Sequence, residues 1–164
     1  MLQRLIFVSR RLNTVLMIIG GLLLSAMVLV SSANILLRAF WTPLKGTFEF
    51  MGFAGAVVAA MALAGTQQTR GHITVTLVPE TISPVWNRTL IVVSNLLSLG
   101  LFSLVSWQVL NLALALKNMG ELSETTHLPY YPVVGMVAVG FAVLVLTLIV
   151  ETLAVVLPAR ERRP

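Results

Sequence analysis

Few side chains in this 164-residue sequence have the types and spacing that chemistry requires. The two histidines, His72 and His127, are both in polar connectors between apolar segments, and the chain has no cysteine and no aspartate. A membrane b-type haem takes histidine ligands from within helices, and zinc sites need closely spaced His, Cys or acidic ligands. Neither a glycine-rich phosphate loop nor a Ser-His-Asp arrangement occurs. We therefore predict no catalytic centre, no metal site and no cofactor in this chain.

The charged residues next to the apolar segments are better candidates for binding than for catalysis. Glu49 begins one apolar segment, Arg38 ends another, and Glu151 lies about two turns from the end of a third. An ionisable group inside a membrane span is a functional candidate by default. These three residues are near segment ends, which favours salt bridges or contacts with lipid headgroups. Asn34 is one helical turn before Arg38, so one helix face could present both to a carboxylate, a lipid phosphate or a carbonyl of a partner.

The composition identifies the class of protein. Hydrophobic residues make up 57% of the chain and charged residues 10%, whereas an average soluble domain has roughly 25% charged residues. Such a sequence cannot cover the surface of a water-soluble fold, and it predicts a polytopic membrane protein. The net charge of +5 does not indicate nucleic-acid binding, because the basic residues flank apolar segments, where they determine topology.

Four apolar segments are long enough to cross a hydrocarbon core of about 30 Å, which takes about 20 helical residues. We predict an all-α integral membrane protein in which residues 1–164 form a single four-helix membrane domain, with spans at about 13–37, 49–67, 89–116 and 133–157. The first segment exceeds the apolar region of a signal peptide, which favours a retained span over a cleaved one. Residues 1–12 could form an interfacial helix or a disordered leader, and 70–88 is expected to contain a short interfacial helix.

The distribution of basic residues predicts the orientation. Eight Arg residues lie on the side of the two termini, and three Arg or Lys residues lie on the other. By the positive-inside rule, both termini are expected to face the cytoplasm.

Two spans have patterns that indicate helix packing. In the second span Gly52, Ala56, Ala60 and Ala64 recur every four residues, and such a ridge of small residues allows another helix to approach closely. We expect this ridge to dock in the bundle or against a partner subunit. The third span has scattered polar residues, which we expect to face protein rather than to line a substrate path. They are Ser94, Asn95, Ser98, Ser103, Ser106, Gln108 and Asn111.

Three motifs in order resemble one transporter family. The chain has NILLR at 34–38, GTFE at 46–49, and RGHITV at 70–75 after a span rich in small residues. This pattern resembles the small membrane subunit, DctQ type, of tripartite ATP-independent periplasmic (TRAP) transporters. Two positions depart from the family pattern: Thr76 is found where an Asp is frequent, and Glu49 is a single acid where many members have two.

The resemblance implies a role and a set of partners. A periplasmic substrate-binding protein would capture an organic acid, such as a dicarboxylate or sialic acid. A large membrane subunit, DctM type, would import it with a sodium gradient, as a symporter in the bacterial inner membrane. The small subunit would stabilise the large one and would have no substrate site. The resemblance also implies that Asn34, Arg38, Glu49 and His72 contact the partner subunit or membrane phospholipids.

Other functions make different demands on the sequence. A stand-alone four-helix, proton-coupled antiporter needs an acid deep in a span, and the first span has none. A redox anchor needs histidines within its helices. A structural tetraspan without a transport role needs only four apolar spans, and this sequence has them.

Overall fold

The computed structural model describes residues 2–68 and 84–156, which form four helices. They are α1 (Leu2–Phe40), α2 (Thr47–Gln68), α3 (Pro84–Met119) and α4 (Tyr130–Val156). All four are long and apolar enough to cross a membrane. The described residues contain no strand, only an isolated bridge between Leu122 and Pro129. The predicted fold class, all-α with four candidate spans, is confirmed.

The helix ends follow from local sequence. Pro84 begins α3 and Pro132 lies in the first turn of α4, where the missing N–H of proline costs no hydrogen bond. Gly120 follows α3 with a φ of 68° and donates its N–H to the carbonyl of Leu116 at 3.0 Å. A left-handed glycine of this kind is a common helix C-terminus.

Two predicted segment boundaries differ from the structure. Residues 1–12 were expected to be separate from the first span, but α1 is one helix of 39 residues, about 58 Å long at 1.5 Å per residue. No proline or glycine lies between 2 and 13 to interrupt it. The third helix begins at Pro84, before the predicted 89, and the remainder of the 70–88 connector lies outside the described residues.

The core is formed by α1, α2 and α4. Its buried apolar residues are Leu16, Val57, Met61, Ala64, Val143, Leu144 and Leu148. Within the described ranges, α3 contacts α4 and neither α1 nor α2. The aromatic rings of Phe102 on α3 and Phe141 on α4 are stacked, with centroids 6.3 Å apart. The domain is therefore a three-helix unit with α3 attached through α4, and much of the surface of α3 is uncovered.

Small residues bring α2 close to both of its neighbours. A Cβ added at Gly140 of α4 would lie 2.9 Å from the Cβ of Ala60 and 3.0 Å from its backbone carbonyl carbon and oxygen. On the other side, a Cβ at Gly65 would lie 2.7 Å from the Cγ and Sδ of Met17 on α1. Backbone atoms cannot move aside as a flexible side chain can, so the contact at Gly140 fixes the separation of α2 and α4.

We expect Gly140→Ala to destabilise the protein, because its methyl group would overlap Ala60. Overpacking of this kind lowers the free energy of unfolding by about 1–3 kcal/mol. Gly135→Ala is the matched control on the same helix, since a Cβ there meets nothing within 4 Å. Thermal unfolding of both variants in detergent tests the prediction. Equal midpoints for the two variants would contradict the proposed contact.

Candidate functional site

The carboxylate of Glu49 fastens the loop between α3 and α4 to the start of α2. Its Oε1 accepts the backbone N–H of Thr125 at 2.7 Å. Its Oε2 accepts the N–H of Thr126 at 3.0 Å and the hydroxyl of Thr126 at 2.7 Å. Hydrogen bonds to a charged acceptor are stronger than those between neutral groups. We call Glu49, Thr125 and Thr126 the outer clamp.

The backbone around the clamp is shaped for this contact. Gly46, just before α2, has a φ of 79°, and a Cβ at this position would overlap the side chain of Thr126. His127 also has a positive φ, 54°, and donates its N–H to the carbonyl of Ser123 at 3.1 Å. Ser123 is 1% exposed and its hydroxyl hydrogen-bonds that of Thr126. The loop is thus a tight turn with two N–H groups directed at one carboxylate.

The other predicted contact residues lie in different surroundings. Asn34 accepts the backbone N–H of Leu44 through Oδ1 at 2.8 Å, which ties the end of α1 to the connector that follows. Arg38 is exposed. His72 lies outside the described residues. The structure therefore gives Asn34 and Glu49 partners within the chain, while their predicted contacts with a subunit or lipid stay predictions, as do those of Arg38 and His72.

Three large aromatic side chains follow Arg38 in the sequence and are exposed. Phe40, Trp41 and Phe48 are 85%, 82% and 88% exposed. Lys45, between them in sequence, is also exposed. Aromatic residues with basic neighbours at a span end are typical of a membrane interface. This end of α1 and α2 therefore has the composition of a surface that meets lipid headgroups.

The ridge of small residues on α2 is divided between two environments. Ala60 and Ala64 are buried within the chain, at 2% and 0% exposure, and Ala60 meets α4 at Gly140. Gly52 and Ala56 are exposed. Half of the ridge is thus used for packing inside the domain.

At the end of the bundle opposite the outer clamp, a buried polar cluster joins the N-terminal part of α1 to the C-terminal part of α4. The Nδ2 of Asn13 donates to the Oγ1 of Thr147 at 2.9 Å, and the hydroxyl of Ser9 lies 3.3 Å from the same oxygen. One turn further along α4, Glu151 accepts a hydrogen bond from the Nε2 of Gln67 at 2.6 Å. The sequence analysis does not predict this cluster. A signal for it was present, because Ser9 and Asn13 are one turn apart on α1, and Thr147 and Glu151 are one turn apart on α4.

Four of the seven polar residues of α3 are not covered by the rest of this chain. Ser94, Ser103, Gln108 and Asn111 are exposed, because α3 packs on α4 alone and turns most of its surface outward. Ser103, Ser106 and Trp107 line an open groove of about 240 Å³ between α3 and α4. The expectation that these side chains face protein therefore stays a prediction, and for the exposed residues this chain does not itself supply the protein surface.

The described residues show no arrangement suited to a metal ion. They contain no group of three or more His, Cys, Asp or Glu side chains that could hold one. The polar groups are instead arranged to bind protein backbone and other side chains.

Comparison with known proteins identifies the family. Residues 27–157 match the family model of the DctQ component of tripartite ATP-independent periplasmic transporters. The chain belongs to the DctQ family. No curated protein and no solved structure gives a significant match. The matched region includes the outer clamp, the groove and the last third of α1. With four helices that can span a membrane, this DctQ-family chain is a multi-pass membrane protein and a transporter component.

We expect Glu49→Gln to loosen the outer loop. The neutral side-chain amide has one acceptor oxygen, whereas the carboxylate has two. Its NH₂ group would face a backbone N–H of the loop, and two donors cannot hydrogen-bond each other. Hydrogen exchange at neutral pH should be severalfold faster in the peptide that contains Thr125 and Thr126. Glu124→Gln is the matched control, because it removes an exposed acid from the same loop and leaves the clamp intact. Equal exchange in both variants would show that Glu49 does not hold the loop.

Proposed function

We propose that this DctQ-family chain is the small permease subunit of a sodium-driven, binding-protein-dependent importer of an organic acid in the bacterial cytoplasmic membrane. The observation that carries the proposal is the family match over residues 27–157. Its partners would be a DctM-type large membrane subunit and a periplasmic substrate-binding protein. The substrate would be a carboxylate such as a dicarboxylate or a sialic acid.

The charge distribution supports a scaffolding role. No Asp, Glu, Lys or Arg occurs in residues 13–37, 50–66, 89–116 or 130–150. Intramembrane sites for anions or coupling ions normally use ionisable side chains or broken helices. The four helices described here are continuous. The substrate and sodium sites would therefore belong to the large subunit, which this chain would stabilise.

The environments of the acids also weaken the antiporter alternative. A proton-coupled exchanger must protonate and deprotonate an acid that substrate can reach. Glu49 is held by the loop, and Glu151 is paired with Gln67 near the end of α4. Neither is placed at the centre of a span.

The outer surface supports the proposed contacts of the subunit. We assign Arg38 on this outer surface, together with Asn34 and Glu49 beside it, to contacts with the large subunit or with phospholipid headgroups. We assign His72, in the connector on the side of the termini, to the same kind of contact there. Both termini would face the cytoplasm, with the exposed aromatic residues at the periplasmic interface. The excess of arginine on the side of the termini supports this orientation.

Uptake by proteoliposomes tests the function. Vesicles that contain both membrane subunits, with purified binding protein outside, should take up labelled succinate or sialic acid only when sodium is higher outside. Omission of this chain should abolish uptake. Arg38→Ala and His72→Ala should reduce it, whereas Lys117→Ala, which removes a cation outside the proposed contacts, should not. Full uptake by the large subunit alone would contradict the proposal.

A further inference from the structure

The groove between α3 and α4 places hydrogen-bonding groups where a lipid bilayer offers them no partner. Ser103 and Trp107 lie near the middle of the candidate span Val92–Met119. With Gly100 and Asn111 they follow each other at intervals of three or four residues, so all four share one face of α3. We call these four residues the α3 stripe.

Every residue of the α3 stripe is exposed. Trp107 is 64% exposed, and a Cβ added at Gly100 would meet nothing within 4 Å. In the described part of the chain, the side chains of Ser103, Trp107 and Asn111 have no hydrogen-bond partner. Ser103 and Trp107 line the groove of about 240 Å³, whose other wall is formed by Ala142 and Val145 of α4. Gly100 and Asn111 lie about one turn before and after them on the same helix face.

A face in contact with lipid would have a different composition. Most of the outward residues in the span of α1 are large and apolar, as Leu22 and Leu29 show at 67% and 70% exposure. The exposed Ser25 of that helix donates its hydroxyl proton to the carbonyl of Gly21 at 2.9 Å. Tryptophan prefers the membrane interface, where its N–H can be hydrogen-bonded. Acyl chains offer no acceptor to Trp107 or Asn111, so lipid does not suit this face.

The side chains also specify the chemistry of the occupant. The indole of Trp107 only donates, so the occupant must provide an acceptor near mid-bilayer depth. Hydroxyl, amide and carbonyl groups on a transmembrane helix can do this, and the small residues Gly100 and Ala142 allow a helix to come close. In a symmetric pair of copies, a residue near the two-fold axis faces the same residue of the other copy. Trp107 would then face a second Trp107, and two indole N–H donors cannot hydrogen-bond each other. This argues against a second copy.

We propose that a transmembrane helix of the large membrane subunit lies in the α3–α4 groove and accepts a hydrogen bond from Trp107. Ser103 and Asn111 bond the same helix on either side. The proposal rests on the proposed function for the identity of the partner. It assigns a contact to α3, in addition to the ridge on α2, which the sequence predicts to dock either in the bundle or against a partner subunit.

Site-specific photocrosslinking tests the contact. The chain is expressed with its large subunit, and p-benzoylphenylalanine replaces either Trp107 or, as control, the equally exposed Leu29 of α1. Position 107 should give a covalent product with the large subunit, and position 29 should give little. Suppose that the large subunit co-purifies. A crosslink to it from position 29 alone, or a crosslinked dimer of this chain from position 107, would then overturn the inference. Failure of the large subunit to co-purify at all would overturn the proposed function as well.

Substitution separates the hydrogen bonds from the shape of the surface. Trp107→Phe keeps an aromatic ring and removes the N–H group, and it should weaken recovery of the large subunit about threefold, as expected for one intramembrane hydrogen bond. The double variant Trp107→Phe with Asn111→Leu should weaken it about tenfold. Leu104→Phe, on the adjacent exposed surface of α3, is the control that retains every polar group. Unchanged recovery in the double variant would contradict the proposed bonds.

Discussion

The absence of water from the hydrocarbon core is the constraint on which this structure depends. Each backbone N–H and C=O group in a span must be satisfied within its own helix, and polar side chains must find partners in protein. α1 and α4 meet part of this requirement together, because the Nδ2 of Asn13 donates to Thr147, although the buried Oδ1 of Asn13 has no partner in the described part of the chain. On α3, by contrast, polar side chains such as Ser103 and Asn111 are exposed and find no partner within the described part of the chain, because this helix contacts only α4 there. This uncovered polar surface is the basis of the proposal that a helix of another subunit packs against α3.

Close packing determines how the three core helices are arranged. Hydrophobic burial does not drive helices together in lipid, because acyl chains are as apolar as leucine. Helix association depends instead on van der Waals contact between complementary surfaces. Gly140 and Ala60 allow α4 to approach the backbone of α2, and Gly65 makes room for Met17 of α1. At the outer end, Glu49 holds the loop between α3 and α4 against the start of α2. α3 is thus connected to the core both by its packing on α4 and by this loop.

The sequence predicts the number and approximate position of the helices because their apolar length matches the bilayer. It also identifies Glu49 and Asn34 as unusual, from their positions at span ends and from the family motifs. It does not reveal that Glu49 binds the amides of Thr125 and Thr126, which are more than 70 residues away and have unremarkable side chains. Hydropathy also leaves open which helices are neighbours. The polar residues of α3 suggested packing, and only the arrangement of the helices shows that the chain itself does not supply it.

The central claim is that this DctQ-family chain functions as one membrane subunit of a larger transporter. The most direct measurement is affinity purification of the tagged chain from its native membranes in mild detergent, followed by mass spectrometry of the proteins that accompany it. The account predicts a large polytopic membrane protein in stoichiometric amount. Recovery of the chain alone or as a homodimer, in a detergent that preserves such complexes, would contradict it.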